Sequence, residues 1–143
     1  MSAAHAGAML DTSIWVALFT ADPVVTELMA AQGDLPSLAT TMVLAELASL
    51  KERSRYDGPS PIDLVRENGH IEPMTEEDAV EGGVLHGRLR LAGHPKVSLG
   101  DCLILATARR VGALLITLDS DLAGERDVVV LRRRGASSRA RRG

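Results

Sequence analysis

A regular alternation between short apolar runs and segments of helical periodicity constrains this chain more than any other feature. Most of the apolar runs precede a segment whose apolar residues recur every three or four positions. Strands that alternate with helices build a mainly parallel sheet with helices packed against it. We therefore predict a three-layer α/β/α sandwich. The predicted strands are residues 8–10, 38–40, 71–74, 113–118 and 128–131.

Polar residues that suit helix N-termini mark the predicted helices. Thr12 and Ser13 offer capping oxygens to a first helix, and Asp22 followed by Pro23 suits the start of a second. The helix predicted over residues 99–110 is apolar nearly all round, so we expect other elements to cover it on two sides. The remaining helices are predicted at 42–52, in a short segment that ends at residue 68, and at 76–92. Thr41, Thr75 and Ser98 are the predicted caps of the helices at 42–52, 76–92 and 99–110.

Length and charge predict one domain with short extensions. The 143 residues suffice for a single core, and we assign the domain to residues 9–131, after an N-terminal extension of residues 1–8. Residues 132–143 contain six arginines and no acid, although the whole chain has a net charge of -3. We expect this tail to be disordered and solvated, and contact with phosphates is the alternative.

Aromatic residues are scarce, which limits how the chain can bind other molecules. Trp15, Phe19 and Tyr56 make up 2% of the sequence, so aromatic stacking cannot be the main means of holding nucleic acid. Trp15 and Phe19 lie four residues apart on the first predicted helix. Core packing is the default interpretation of this stripe, and a groove for a partner segment is the alternative.

The single cysteine, Cys102, excludes an internal disulfide framework and favours a reducing compartment. We expect no membrane span, because Glu46 interrupts the longest helical apolar stretch. The N-terminus lacks the basic and apolar regions of a signal peptide. The expected location is therefore the cytoplasm.

Four carboxylates end or flank apolar segments: Asp11, Glu46, Asp101 and Asp119. A carboxylate next to a core loses hydration, which costs several kcal/mol unless a positive group compensates. Each acid alone has an ordinary explanation as a cap or turn residue. However, Asp11 and Asp119 both follow predicted strands, where parallel sheets bind ligands. Clustered carboxylates suit Mg²⁺ or Mn²⁺, and such cations support phosphodiester hydrolysis.

Four segments around these acids also carry a family resemblance. They resemble, in order and spacing, the acidic motifs of PIN-domain ribonucleases, most of all the VapC-type toxins of toxin–antitoxin pairs. The resemblance covers residues 8–131, and its most specific part is SLGDCLILATAR. The segments are AMLDTSIWVALF, TTMVLAEL, VSLGDCLILATAR and ITLDSDL.

The resemblance implies a Mg²⁺- or Mn²⁺-dependent endoribonuclease that a small cognate antitoxin inhibits and that forms a homodimer. Asp11, Glu46 and Asp101 correspond to the core metal-binding acids, and Asp119 to a more variable fourth acid. Asp121 is a near neighbour that can share or replace the role of Asp119. Hydroxyls available to hydrogen-bond a metal-bound water are Thr12, Ser13 and Thr117.

Three alternatives stay open on the sequence alone. A non-catalytic PIN module that binds RNA or a protein partner is the alternative function. A zinc site is disfavoured because the four histidines lack ligand spacing with each other and with Cys102. A basic stretch on the helix predicted over 76–92 suits either a solvated face or RNA phosphates. It consists of His86, Arg88 and Arg90.

Overall fold

Five short strands form the centre of the protein, and every pairing between them is parallel. The strands are β1 (Ala8–Leu10), β2 (Ser37–Thr40), β3 (His70–Glu72), β4 (Leu114–Thr117) and β5 (Val128–Val130). The computed structural model describes residues 4–132 and orders them β3-β2-β1-β4-β5. The predicted sheet is confirmed and is parallel throughout. The predicted tail lies outside the described residues beyond Arg132.

Within residues 4–132, six α-helices cover this sheet. The strand order steps in one direction from β1 to β3 and then returns across the sheet to β4. Right-handed crossovers therefore put the first four helices on one face and the last two on the other, which gives the predicted three layers. The helices are α1 (Thr12–Phe19), α2 (Pro23–Ala30), α3 (Thr41–Ser54), α4 (Pro61–Asn68), α5 (Glu76–Leu91) and α6 (Leu99–Arg110).

Helix α6 is covered on two sides, as predicted. It contacts β4 and α3, and α5 packs along it in the opposite direction, with Asp78 near Thr107 and Gly82 near Leu103. The two helices approach closely at Gly82, where an added Cβ would lie 2.8 Å from the Cα of Leu103. Seven of the twelve residues of α6 are buried. This packing fixes the first turn of α6 relative to the sheet.

Two predicted caps are wrong, and three strands, β3, β4 and β5, are shorter than predicted. Asp11, rather than Thr12 or Ser13, is the N-cap of α1. The N-cap of α3 is Thr40, and the predicted cap Thr41 instead accepts a hydrogen bond from the amide of Met74. Strand β3 ends at Glu72, because the next residue is a proline with no amide hydrogen for the ladder.

The N-terminal residues contribute to the sheet. Strand β1 begins at Ala8, one residue before the predicted domain boundary. The amide of Ala6 donates to the carbonyl of Gly112 at 2.9 Å, and the amide of Leu114 donates to the carbonyl of Gly7 at 2.9 Å. Residues 6–8 are thus tied to both ends of the α6–β4 connection.

The lengths of the helices can be compared with the prediction that the chain has no membrane span. Within residues 4–132, no single helix is long and apolar enough to cross a bilayer. Only α1 and α2 taken together reach the required length and hydropathy, and they meet at a bend of 114°.

Candidate active site

The candidate site lies where the strand order changes direction. Strands β1 and β4 are neighbours, but the chain leaves β1 toward β2 and leaves β4 toward β5. Such a switch point opens a crevice beyond the carboxyl ends of the strands. An open pocket of about 640 Å³ is found there. Its lining includes all four acids singled out in the sequence: Asp11, Glu46, Asp101 and Asp119.

Asp11 is the most buried of these acids, with 3% of its surface exposed. Its Oδ1 accepts hydrogen bonds from Ser13 Oγ at 2.6 Å and from the amide of Ile14 at 3.0 Å. Its Oδ2 accepts a hydrogen bond from the hydroxyl of Thr117. Burial raises the pKa of Asp11 and the charge of Asp119 raises it further, although the hydrogen bonds oppose this. Asp11 is thus held in one orientation at the base of the pocket.

Asp101 has the most perturbed carboxyl group in the pocket. It lies in the first turn of α6, where its amide donates to Ser98 Oγ at 3.0 Å. Burial, a hydrogen bond to the carboxyl group of Asp119 and the charges of Asp11 and Asp119 raise the pKa of Asp101 to about 7. The pocket therefore concentrates negative charge that nothing in its lining neutralises.

Glu46 reaches the pocket from the middle of α3. Its Oε1 accepts a hydrogen bond from Thr12 Oγ1 at 2.9 Å. Its Oε2 lies 3.3 Å from the position that a Cβ on Gly100 would occupy, so glycine leaves room for this carboxylate. Thr12, like Ser13 and Thr117, was predicted to hydrogen-bond a metal-bound water. In the structure all three hydroxyls hold carboxylates in place.

The structure places the two aspartates after β4 differently. Asp119 lines the pocket, and its Oδ1 accepts a hydrogen bond from the amide of Asp121 at 2.9 Å. Asp121 is not part of the lining, and its Oδ1 lies 3.5 Å from Nδ1 of His94. Of the two, Asp119 therefore lies in the same pocket as Asp11, Glu46 and Asp101.

Sequence reasoning missed one acidic residue of the lining, Asp22. It was predicted only as the cap of α2, and it does accept hydrogen bonds from the amides of Val24 and Val25. The one sequence feature that could have indicated its position near Asp11 is the shortness of α1, which separates the two residues by only about two helical turns.

The donor atoms of the pocket suit a hard divalent cation. They are carboxylate and hydroxyl oxygens, and no histidine or cysteine lines the pocket. A cation would also relieve the repulsion by Asp11 and Asp119, which adds to the effect of burial in raising the pKa of Asp101. Across residues 4–132, no three carboxylate, histidine or cysteine side chains are arranged closely enough to hold one metal ion together. Three histidines instead pair with single acids: His5 with Asp127, His70 with Glu72, and His94 with Asp121.

An apolar groove of about 230 Å³ adjoins the acidic pocket. The two cavities share Val16, Thr20 and Leu50 in their walls. The aromatic stripe of α1 is divided between the core and this groove. Trp15 is 1% exposed, whereas Phe19 is half-buried and lines the groove. The rest of the groove is formed by Leu47, Lys51, Ser54, Tyr56 and Pro61.

Fold and site together define a doubly wound α/β protein with an all-oxygen acidic pocket at its topological switch point. The sequence profile of the PIN domain matches residues 8–124. The chain therefore belongs to the PIN domain family.

Solved structures with the same fold include toxins of toxin–antitoxin pairs. A chain of a toxin–antitoxin complex from Klebsiella pneumoniae has a TM-score of 0.69 and 22% identity, covering 87% of this chain and 97% of that chain. VapC20 of Mycobacterium tuberculosis, described as a sarcin-ricin loop cleaving toxin, has a TM-score of 0.67 and 20% identity, covering 89% and 100%. A chain of VapBC2 from Rickettsia felis, bound to a DNA fragment from its promoter, has a TM-score of 0.65 and 21% identity, covering 87% and 96%. No curated protein sequence matches the chain.

Proposed function

We propose that this protein is a Mg²⁺- or Mn²⁺-dependent endoribonuclease toxin that a cognate antitoxin neutralises. The observation that carries the proposal is that four acids line one pocket and that burial and the neighbouring acids raise the pKa of Asp101 to about 7. Membership of the PIN family and the likeness to VapC20, described as a toxin that cleaves the sarcin-ricin loop, support RNA as the substrate. The residues proposed to hold the cation are Asp11, Glu46, Asp101 and Asp119.

The chain's own residues orient these acids. Ser13 and Thr117 hold both oxygens of Asp11, which leaves that carboxylate little rotational freedom. Thr12 holds one oxygen of Glu46 and leaves the other directed toward Gly100 at the start of α6. When bound, a divalent cation supplies charge stabilisation for the phosphodiester under attack and lowers the pKa of water.

Metal-titrated cleavage of RNA tests the proposal. With Mg²⁺ or Mn²⁺ added, the purified full chain should generate new RNA ends, and chelation should stop the reaction. Asp11→Asn and Asp101→Asn should each reduce the rate by about 10²-fold or more, because each removes a charge that holds the cation. Both variants should keep the native circular dichroism spectrum. Full cleavage by both folded variants would contradict the proposal.

A matched pair of variants distinguishes the two aspartates that follow β4. Asp119→Asn should lose cleavage, because Asp119 lines the pocket. Asp121→Asn should retain cleavage within about threefold, because Asp121 faces His94 instead. The reverse result would transfer the role of the fourth acid to Asp121.

The alternative function is a non-catalytic PIN module that binds RNA or a protein. The presence of four acids in one pocket argues against it, since binding alone does not require that concentration of charge. Such a module would retain RNA in a gel-shift experiment without producing new ends at any metal concentration.

We further propose that the apolar groove binds a segment of the antitoxin. Its position beside the acidic pocket would let one partner cover both surfaces. The printed descriptions of the K. pneumoniae and R. felis structures as toxin–antitoxin assemblies support such a partner.

Growth rescue by co-expression of the cognate antitoxin, which the family resemblance implies, tests this groove. Tyr56→Lys should leave growth inhibition intact and abolish rescue, because Tyr56 lines the groove and is 42% exposed. Val24→Lys is the matched control, since Val24 is 41% exposed on α2 and does not line the groove. Equal rescue of both variants would contradict this role of the groove.

Two further parts of the proposal concern assembly and location. We infer that the protein acts as a homodimer, as the family resemblance implies. We place its activity in the cytoplasm, where the buried thiol of Cys102 stays reduced. Sedimentation of the purified chain tests the first statement, and fractionation of cells that carry a tagged chain tests the second.

A further inference from the structure

The last strand brings the chain to the edge of the sheet at which the acidic pocket opens. Strand β5 runs parallel to β4, and Val130 lies opposite Thr117. The amide of Leu131 donates to the carbonyl of Thr117 at 2.8 Å, and Leu131 is buried. Thr117 is also the residue whose hydroxyl holds Asp11. The point at which the chain leaves the sheet is therefore fixed beside the pocket.

Arg132 follows β5 at the position that Asp119 takes after β4. Asp119 is two residues beyond Thr117, and Arg132 is two residues beyond the strand partner of Thr117. Neighbouring strands lie about 4.8 Å apart, so the end of β5 is about 5 Å from the end of β4 and about 10 Å from the end of β1. Arg132 is exposed, and within residues 4–132 it forms no ion pair.

The sequence that starts at Arg132 is strongly basic. Residues 132–143, which we call the basic tail, contain six arginines and no acid. The whole chain has a net charge of -3, so residues 1–131 alone have a net charge of -9. The eleven residues after Arg132 can span at most about 40 Å. This length exceeds the width of the acidic pocket, whose volume is about 640 Å³.

The acidic pocket repels the substrate that we propose for it. Among the described residues of its lining, none is basic and five are acids. A bound cation offsets this charge at the phosphate under attack, but the phosphates on either side of it still lie beside an acidic surface. Basic side chains at the edge of the pocket are therefore needed to hold them. The five acids are Asp11, Asp22, Glu46, Asp101 and Asp119.

We propose that the basic tail binds the RNA phosphates that flank the cleavage site and holds the strand over the acidic pocket. The inference rests on the proposed ribonuclease function and assigns it a segment that binds the substrate. Guanidinium groups suit this role, because each can donate two hydrogen bonds to one phosphate. Contacts with phosphates carry no sequence information, so the tail contributes affinity for RNA and not the choice of cleavage site.

RNA binding by the full chain carrying Asp11→Asn, which keeps the RNA intact, tests the proposal. Fluorescence anisotropy of a short labelled single-stranded RNA gives the association constant over a range of salt concentrations. The tail variant, with Arg132→Gln, Arg133→Gln and Arg134→Gln together, should bind about tenfold more weakly. Its slope of log association constant against log salt should be smaller by about 2, since each phosphate contact contributes about 0.7. Lysine at the same three positions should keep the slope, because the charge remains.

A control variant changes the net charge by the same amount elsewhere. It carries Arg53→Gln, Arg55→Gln and Arg66→Gln, at three exposed residues that are not part of the pocket lining. Arg53 lies about 18 Å along α3 from the first residue of that helix, which follows the end of β2. The control should bind RNA within about threefold of the parent and keep its salt slope. Equal weakening in both variants would overturn the proposal, because overall charge alone would then explain it.

Two other results separate the tail from the ribonuclease itself. A tail variant that binds RNA as tightly as the parent would overturn the role of the tail and leave the proposed ribonuclease standing. A parent chain that neither binds nor cleaves RNA would contradict both. Circular dichroism should report the native helix content for all variants.

Cleavage kinetics without Asp11→Asn distinguish a tail that holds RNA from a tail that covers the pocket. The tail variant should raise KM about tenfold and leave kcat within about threefold, because the flanking phosphates are held equally before and during attack. Faster cleavage by the tail variant, or cleavage at a lower Mg²⁺ concentration than the parent needs, would overturn the proposal. Either result would indicate that the tail occupies the pocket and competes with the cation.

Discussion

At the residue scale, Asp101 is the acid of the pocket whose pKa is raised most clearly. Burial and two neighbouring acids raise its pKa to about 7, although Ser98 caps the helix turn on which it lies. A group that ionises with this difficulty opposes folding at neutral pH. The chain thus gives up stability in order to bring acids together, a common feature of catalytic sites.

Replacing Asp101 by asparagine should stabilise the metal-free protein. The folded-state pKa is raised from 3.8 to about 7, so between these values the folded protein keeps a proton that the unfolded chain has lost. The free energy of unfolding of the parent therefore falls as pH rises from about 4 to about 7. Asp101→Asn should escape this loss and be more stable by about 1 to 3 kcal/mol at neutral pH. Urea denaturation in a chelating buffer measures the difference.

Added Mg²⁺ should reverse the order of stability and make the parent protein more stable than Asp101→Asn. A cation that binds only the folded pocket raises the Tm of the parent by mass action, whereas Asp101→Asn lacks a ligand and should respond less. Asp121→Asn, outside the pocket lining, should respond like the parent. Equal Tm shifts for the parent and Asp101→Asn would argue against cation binding by this carboxylate.

At the element scale, Asp78 ties α5 to α6. It is 2% exposed and accepts hydrogen bonds from the amide of Thr75, the hydroxyl of Thr107 and the guanidinium of Arg110. Burial alone would raise the pKa of Asp78, but these donors together hold it below 3.8. One side chain thus completes the capping box of α5 and joins that helix to the end of α6.

Asp78→Asn should destabilise the protein by about 2 to 4 kcal/mol at pH 7, because Arg110 loses its buried counter-charge. Since the folded-state pKa of Asp78 is lowered, its contribution is fully present above about pH 4 and is lost as pH falls through the folded value. The difference between parent and variant should therefore shrink in acid. Glu77→Gln, an exposed neighbour on the same helix, should change stability by less than about 0.5 kcal/mol. A pH-independent difference would contradict the ion pair.

Two adjacent glycines of α5 should respond to alanine in opposite ways. At Gly82 the added methyl group meets the backbone of Leu103 at 2.8 Å, so α5 and α6 must separate at a cost of about 1 to 3 kcal/mol. At Gly83 nothing lies within 4 Å, so alanine should stabilise the helix by about 0.5 to 1 kcal/mol. Thermal unfolding of both variants checks the contrast. Equal shifts would contradict the close helix contact at Gly82.

The sequence predicted the elements well and their connections less well. Strong apolar runs and capping residues indicated the strands and the start of α6 at Ser98. The proximity of Asp22 to the pocket follows from a turn in which Ala21 adopts a φ of 54°, which alanine rarely does, so no residue pattern predicts it. The partners of Thr12 and Thr117 depend on side-chain rotamers that only the packed structure determines.

At the scale of the whole molecule, residues 6–8 hold the middle of the sheet to its neighbours. A chain that begins at Met9 loses at least three hydrogen bonds, in which Ala6, Gly7 and Ala8 contact Gly112, Leu114 and Pro36. It should be less stable by about 3 kcal/mol in urea denaturation. Among the contacts of the described residues, a chain that begins at Ala6 loses the partly exposed contact of His5 with Asp127, so it should stay within about 1 kcal/mol of the parent. Equal stability of the two truncated chains would contradict this role.

The predicted convergence of the acids rested on whole-molecule topology. Asp11 and Asp119 follow parallel strands, and parallel strands end at the same edge of a sheet. The contributions of Glu46 and Asp101 were suggested by the motifs of the family, because helix periodicity alone leaves the tilt of α3 and α6 over the sheet undetermined.

The adjacency of β1 and β4 also affects when the pocket can exist during synthesis. Thr117 and Asp11 are hydrogen-bonded across a separation of 106 residues. A ribosome must therefore translate most of the chain before the first strand meets its central neighbour, and at about 5 to 20 residues per second this takes many seconds. The acidic pocket is therefore incomplete until Asp119 has been added. If the protein cleaves RNA as proposed, the strand order delays cleavage until most of the chain has been synthesised.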